Sequence, residues 1–314
     1  MSKSKQRALV DKLLTDVSNG YFPEGYISED ALPMIKVKQM SGILGGYGNN
    51  HLRLVNTLVG GKGKASRFEP IAVKTDNFYK VENHALEGNI DEDTFDNFEE
   101  PFDAESDETE GLTHAIWLGK ENALASLMTD PAIITQNTTL VGTQQFNDYD
   151  NSKPLEVVRE ARTTVWAGCF NMPNRCIMAR DIAETLAYHP QVLRQLGFSD
   201  NRAGTLTDDD IKRFLKVDML HIGNVFANFA AEGQADDMRS LWGKDMVLYY
   251  APKVAKKRQK SFGYYIKMRK RTEREVFKQP TFNPPNGMDI LVRDSYSFHL
   301  ADAKCAYLII DAIA

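Results

Sequence analysis

Cysteine is scarce: Cys169, Cys176 and Cys305 are the only three in 314 residues, and no two of them form a CxxC pair. An odd number without that spacing supports neither a disulfide framework nor a thiolate zinc site, and reads as reduced core thiols of a chain made in a cytosol. Long apolar runs are missing as well. Nowhere do eighteen apolar residues follow one another, and the opening stretch MSKSKQRALVDKLLTDVSNG has basic residues but no continuous apolar segment. We read neither a membrane span nor an export signal.

Catalytic signatures are absent too. His51, His84, His114, His189, His221 and His299 contain no HExxH and no i, i+4 pair that would share a metal. There is no GxSxG elbow and no GxGxxG after a strand. The glycine-rich Gly60-Gly61-Lys62-Gly63-Lys64 lacks the GxxxxGK[ST] spacing of a phosphate cradle and reads as a soft loop tip. The expected site is therefore empty in every class: no catalytic residue, no cofactor-binding residue, no metal. An enzyme is disfavoured.

What is present is a chain able to bury a core, 42% hydrophobic and 26% charged, with a net charge of −5. That balance argues against a surface built throughout for nucleic acid, and leaves room for regional contacts. Two regions stand out. Residues 87–110 hold twelve acids and no Lys or Arg, the pattern of a solvated loop facing water or a basic neighbour. Residues 253–278 hold eleven bases against Glu273 and Glu275, a local charge of +9. A solvated strand pair, an acidic partner surface and packed DNA all fit such a stretch. We expect the two runs to meet across subunits.

The clearest element is a helix over 107–129. Asp107 and Glu110 are spaced as an N-cap and its reciprocal partner, and Pro131 disfavours helix at Asp130. Leu112, Ala115, Ile116, Ala123, Leu124, Leu127 and Met128 predict an apolar face, with Lys120, Glu121 and Asn122 on the opposite side. Before it, Leu9, Val10, Leu13, Leu14 and Val17 predict a short amphipathic helix ended by Asn19-Gly20. Ile35 and Val37 then open a long hairpin whose returning limb carries Phe68, Ile71, Val73, Phe78 and Val81. After it, Ser152 and Pro154 start a second helix, Cys176–Ala179 reads as a buried strand, Asp181 and Thr207 as caps, and MDILVRDSYSFHL and AYLIIDAI as core strands.

This order of elements resembles the major capsid protein of tailed bacteriophages, the Hong Kong 97-like (HK97-like) fold. Phe78-Tyr-Lys-Val-Glu-Asn-His-Ala-Leu-Glu-Gly88 is similar to the returning limb of that family's extended loop, and Gly142 with Asp150–Pro154 to its link into the second helix. Pro173-Asn174, Leu186-Ala-Tyr-His-Pro190, Ile222-Gly223-Asn224, Leu241-Trp242-Gly243 and Ala306-Tyr307-Leu308-Ile309 follow in the family's order. The resemblance covers almost the whole chain.

It implies an α+β fold divided into an N-terminal arm (1–33), an extended loop or E-loop hairpin (34–82), a peripheral domain with the acidic loop and spine helix (83–131 and 281–300), and an axial domain (132–280 and 301–314). It further implies a major capsid protein that assembles with itself, as pentamers and hexamers, into an icosahedral head around double-stranded DNA. That DNA would lie on the inner face without sequence specificity. The resemblance also implies a portal protein, no membrane, and a virion location after assembly in the host cytoplasm, and it leaves a decoration protein as an open partner. With only residues 1–33 ahead of the loop, a separate scaffolding protein is expected. A Lys62 or Lys64 isopeptide cross-link is disfavoured, because a solvated tip supplies neither a nearby acid nor a desolvated lysine. The alternative of the same fold is an encapsulin-type nanocompartment shell, which encloses cargo enzyme instead of DNA.

Overall fold

The computed structural model describes residues 10–44, 46–47, 54–55, 57–58, 73–74, 78–91, 101–197, 206–231, 233–255, 259–271, 273–281 and 287–314. The glycine-rich tip, Lys62, Lys64, His51 and acids 92–100 lie outside these residues. In chain order the elements are α1 (Lys12–Gly20), β1 (Met34–Val37), β2 (Ser41–Ile43), β3 (Gly46–Tyr47), β4 (Val73–Lys74), β5 (Phe78–Lys80), β6 (Glu82–Asp91) and α2 (Pro101–Thr129). There follow β7 (Asn137–Thr139), α3 (Pro154–Cys169), β8 (Arg175–Ala179), α4 (Arg180–Tyr188), α5 (Pro190–Gln195), α6 (Asp208–Leu215), β9 (Met219–Gly223), β10 (Phe226–Asn228) and β11 (Met238–Ser240). Last come β12 (Met246–Tyr249), β13 (Gly263–Met268), β14 (Glu275–Thr281), β15 (Gly287–Leu300) and β16 (Ala306–Ile310).

Two five-stranded sheets organise this list. The first is built on β15. One edge of β15 pairs antiparallel with β6, while its other edge pairs with β14 over the first half and β13 over the second; β1 adds parallel to β13. The second sheet has the order β7-β16-β12-β8-β9. Every residue of β8 and β12 is buried, Arg175 included, whose guanidinium donates to the carbonyls of Asp30 and Ala31. Beyond the first sheet, β2 pairs with β5 and β3 with β4, so the chain leaves and returns as the predicted hairpin over its described residues.

The long helix α2 serves both sheets. Ala104 and Ile116 pack with Ile90, Val276, Ile290, Val292 and Leu14, whereas Leu124, Ala125 and Met128 belong to the large core under the second sheet. Its 29 residues make a rod of about 43 Å, enough to run past one sheet and reach the other.

Several expectations are corrected. The long helix begins at Pro101, six residues before Asp107, so Asp107 and Glu110 lie inside it instead of capping it. The acidic run is a loop at neither end: Glu87 and Asp91 sit in β6, hydrogen-bonded along β15, and Asp103 to Glu110 form the first turns of α2. Carboxylates suit those turns, since the helix N-terminus carries partial positive charge. Ser152 does not cap α3, because Lys153 holds that position and Ser152 turns inward to His189; nor does Asp181 cap α4, where Ala179 stands. Thr207 does begin α6, its backbone N–H and hydroxyl both donating to Asp210. Strands β13 and β14, which the resemblance places in the axial stretch 132–280, hydrogen-bond to β15 of the first sheet.

Ile116 and Leu124 test the helix assignment, being 4% and 0% exposed and packed in two different cores. Replacing either by Asp places an unpaired carboxylate in an apolar core, at a cost of several kcal/mol. We expect Ile116→Asp and Leu124→Asp to be insoluble or strongly destabilised, as read by expression and urea denaturation. Soluble protein with a wild-type midpoint would refute the packing described.

Candidate functional site

Described groups that carry chemistry do not converge on a reactive cleft. Among the described residues no group of three or more His, Cys, Asp or Glu side chains is placed to hold a metal ion, and no helix is long and apolar enough to cross a membrane. The histidines are dispersed. His84 stacks on Tyr296 with ring centroids 4.1 Å apart, and His114 lies between the hydroxyls of Tyr21 and Tyr26. Burial, with Arg175 nearby, pushes His221 down to about 4.

One pair has the composition of a nucleophile and base: Ser152 Oγ and His189 Nε2 are 2.9 Å apart. Its geometry is wrong for that role. His189 Nδ1 accepts from the Gln191 N–H at 3.1 Å, which leaves the ring proton on Nε2, donating to Ser152 instead of accepting from it. Burial also holds this imidazole below its usual pKa, and Ser152 is 4% exposed. The pair pins the start of α3 to the turn before α5.

The dominant polar feature is a buried ion cluster between the N-terminal segment, the long helix and the first sheet. Lys120 Nζ, fully buried, lies 2.8 Å from Glu29 Oε1 and 2.9 Å from Asp294 Oδ2. Lys267 on β13 approaches the same two carboxylates at 3.5 and 3.6 Å, and the Tyr265 hydroxyl donates to Glu29 at 3.0 Å. The Lys120 ammonium also sits 4.4 Å from the Trp117 ring centroid and 4.9 Å from that of Tyr296, faces that favour a cation. Burial disfavours the ionised form of Asp294, yet Lys120, Lys267 and Arg274 outweigh it and hold the carboxyl below its usual range. Glu29 is lowered in the same way, against burial, by Lys120 and Lys267. Burial pulls Lys267 down, with Asp294 and Glu29 opposing.

Glu121, the next residue on α2, makes a second grip. It accepts from the backbone N–H of Ile27 and Ser28 at 3.2 and 2.9 Å and from Trp242 Nε1 at 2.8 Å, while burial raises its pKa. Trp242 in turn covers Gly223, where a Cβ would meet its ring at 2.0 Å, so the separate Ile222-Gly223-Asn224 and Leu241-Trp242-Gly243 motifs touch. Lys120 and Glu121 thus face the protein interior, contrary to the expectation of a solvated side. Residues 18–32 cover that side of the helix, and Arg274 secures them by donating to the carbonyls of Ser18 and Tyr21.

The same geometry revises the basic stretch. Lys267 and Arg274 are buried, Lys260 donates to Gly168 O at 3.0 Å, and Lys278 pairs with Glu105. The acidic and basic runs therefore meet within one chain at Glu105 and Lys278, and the expected pairing across subunits is not required to satisfy these groups. Arg269 and Lys270 remain exposed at the end of β13.

Sequence reasoning missed Glu29, Lys120, Lys267 and Asp294 as a unit, though a signal exists. Lys120 stands in the i+4 series Ile116, Leu124, Met128, and Asp294 in the alternating series Ile290, Val292, Tyr296, each where the period calls for an apolar residue.

Removing one partner of such a cluster leaves a buried charge uncompensated, at about 3–5 kcal/mol. Lys120→Ala is expected to lose that much in urea denaturation and to expose residues 10–32 to protease. The pH dependence follows from the signs. Asp294 and Glu29, lowered in the fold, contribute stability above the ordinary carboxylate pKa of about 4 that is lost as pH falls toward their folded values. Glu121, raised in the fold, acts oppositely, its contribution present at low pH and lost as pH rises. Asp294→Asn should therefore flatten the acid limb between about pH 5 and pH 3, and an unchanged limb would remove Asp294 as its source.

No protein-family model matches the chain. Over 277 residues it is 24% identical to the major capsid protein of Burkholderia phage BcepMu, covering 85% of this chain and 86% of that one. The structure aligns with a phage-related protein from Bordetella bronchiseptica RB50 at a TM-score of 0.73 and 23% identity, over 98% of this chain and 99% of that one. It also aligns with the capsid structure of cyanophage P-SCSP1u at a TM-score of 0.56 and 12% identity, over 99% and 92%. In sequence the chain is similar to a phage major capsid protein, and its fold is the α+β HK97-like fold seen in phage capsid structures.

Proposed function

We propose that this chain is the major capsid protein of a phage head, assembling with itself as pentamers and hexamers into a closed icosahedral shell around double-stranded DNA. The observation that carries the reading, beside the fold, is the ribbon. Ile43 and Phe78 pair across its base yet are 54% and 61% exposed, and Leu54 further out is fully exposed. A ribbon whose described limbs leave large apolar side chains this exposed gains stability from something laid along it, and in a repeating shell that is the neighbouring subunit. Closed symmetry then multiplies modest contacts.

In this reading the ribbon (34–82) is the extended loop, while residues 1–33 serve as an arm whose described part is fastened to its own subunit through Glu29, Ser18 and Tyr21. The peripheral domain (83–131 and 281–300) carries the long helix, and the axial domain (132–280 and 301–314) carries the second sheet. A separate scaffolding protein guides assembly, a portal protein occupies one vertex, and packaged DNA is held without sequence specificity. The protein acts as structural material, not as an enzyme.

The test uses the purified full chain in electron microscopy beside a variant lacking 58–66. Shells are expected from the first. The second should stay folded by circular dichroism but fail to close, and normal shells from it would overturn the role given to the ribbon. Nuclease-protected double-stranded DNA in particles from infected or induced cells supports a phage head, whereas particles filled with a cargo protein would establish the nanocompartment alternative.

A further inference from the structure

Two thiols at the junction of α3 and β16 play no part in the cluster or the ribbon. Cys169 is the last residue of α3 and Cys305 immediately precedes β16; both are fully buried, and their Sγ atoms stand 2.6 Å apart. The approach is built into the backbone. A Cβ at Gly168 would lie 2.7 Å from the Lys304 carbonyl oxygen, so only glycine lets the helix end and the strand entrance come this close. On the strand side, Asp302 accepts from the Lys304 N–H through its side chain and from the Cys305 N–H through its carbonyl, which fixes the turn that presents Cys305. Above the pair, Lys260 donates to Gly168 O, lies 3.6 Å from Asp302 and sits 4.4 Å from the Phe170 ring centroid.

We propose that Cys169 and Cys305 form a site of reversible oxidation, closing to an intramolecular disulfide when a small-molecule disulfide such as oxidised glutathione replaces a reducing environment. Bringing the two sulfurs to a bonding distance of about 2.05 Å is a sub-ångström movement. The hydrogen bond from Cys305, opposed by burial and aided by Lys260, holds the Cys169 thiol below its usual pKa, while that bond and burial push Cys305 up. Cys169 is therefore the attacking thiolate. It displaces one glutathione thiolate and forms a mixed disulfide. Cys305, its proton taken by the departing glutathione thiolate, then attacks the Cys169 sulfur and releases the second glutathione. Two protein thiols are oxidised, one glutathione disulfide is reduced to two thiols, and no atom is left over. Cys176, buried in β8 with its thiol pushed up by burial, stays out.

The consequence is a covalent tie between the end of α3 and an interior strand of the second sheet, formed once the protein is in oxidising surroundings. The full chain is refolded in a glutathione redox buffer, so that burial does not bar the oxidant, then denatured and alkylated without reductant. One alkylated thiol, Cys176, is expected against three after reduction. Peptide mapping should join the Cys169 and Cys305 fragments, and the melting temperature should rise on oxidation. Cys169→Ser and Cys305→Ser should each abolish the link and the rise, while Cys176→Ser keeps both. Three free thiols after oxidative refolding, a link involving Cys176, or a persistent glutathione adduct on Cys169 would each overturn the proposal, and mapping of the wild-type chain decides it even where a variant fails to fold. None of these readouts depends on shell assembly.

Discussion

Lys120 is the constraint around which the rest of the structure is arranged. A fully buried ammonium is costly unless anions and hydrogen-bond acceptors surround it, and here Glu29 comes from the arm and Asp294 from β15 to do so. Three parts of the chain far apart in sequence must therefore arrive together, each with one charge. Replacing the cluster by apolar side chains of similar size would satisfy burial equally well, but it would not discriminate among registers of the arm. An ion cluster with fixed partners does. Arm, helix and sheet are joined by groups that fit in one way, a property that suits a subunit repeated many times.

The periodic parts of the fold were legible. The apolar residues Ile116, Leu124 and Met128 marked the core-facing side of α2, and Cys176–Ala179 and Ala306–Ile309 read as core strands because nearly every position is apolar. Ends were less legible. Asp107 looks like a cap because local rules see only its neighbours, whereas the helix extends back to Pro101 where Ala104 and Glu105 gain burial against the first sheet. Lys120 and Glu121 look solvent-facing for a similar reason: nothing within the helix shows that residues 21–32 will lie across it. The paired Lys120 and Asp294 were readable only jointly, as two interruptions of opposite sign in two apolar series. Cys169 and Cys305 carried no sequence signal at all, since their meeting depends on Gly168 and the turn at Asp302.

Formal charge is a poor guide to this protein's outer surface. The stretch 253–278 counts +9, yet Lys267 and Arg274 are interior and Lys260 and Lys278 are engaged with their own chain. What remains for a partner in the described part is concentrated at the turn after β13. Apolar groups show the reverse. Trp166 and Phe170 at the end of α3 and Phe226, Phe229 and Met238 around the β10–β11 hairpin are half-exposed or more, although the chain has ample core elsewhere. Surfaces of this composition are those that proteins commit to contact.

The placement of β15 and β16 has a bearing on how the molecule comes into being. Each lies inside its sheet, and each follows in the chain every strand it joins: β6, β13 and β14 for the one, β7 and β12 for the other. During synthesis both sheets therefore wait, split into pieces, for a strand still to be made. Lys120 is without Asp294 for the same interval, and the sheet-facing side of α2 stays uncovered. Such long-range closure is slow and leaves apolar surface open to neighbouring nascent chains. Completion of both sheets and of the Lys120 cluster is thereby tied to one late stretch of chain.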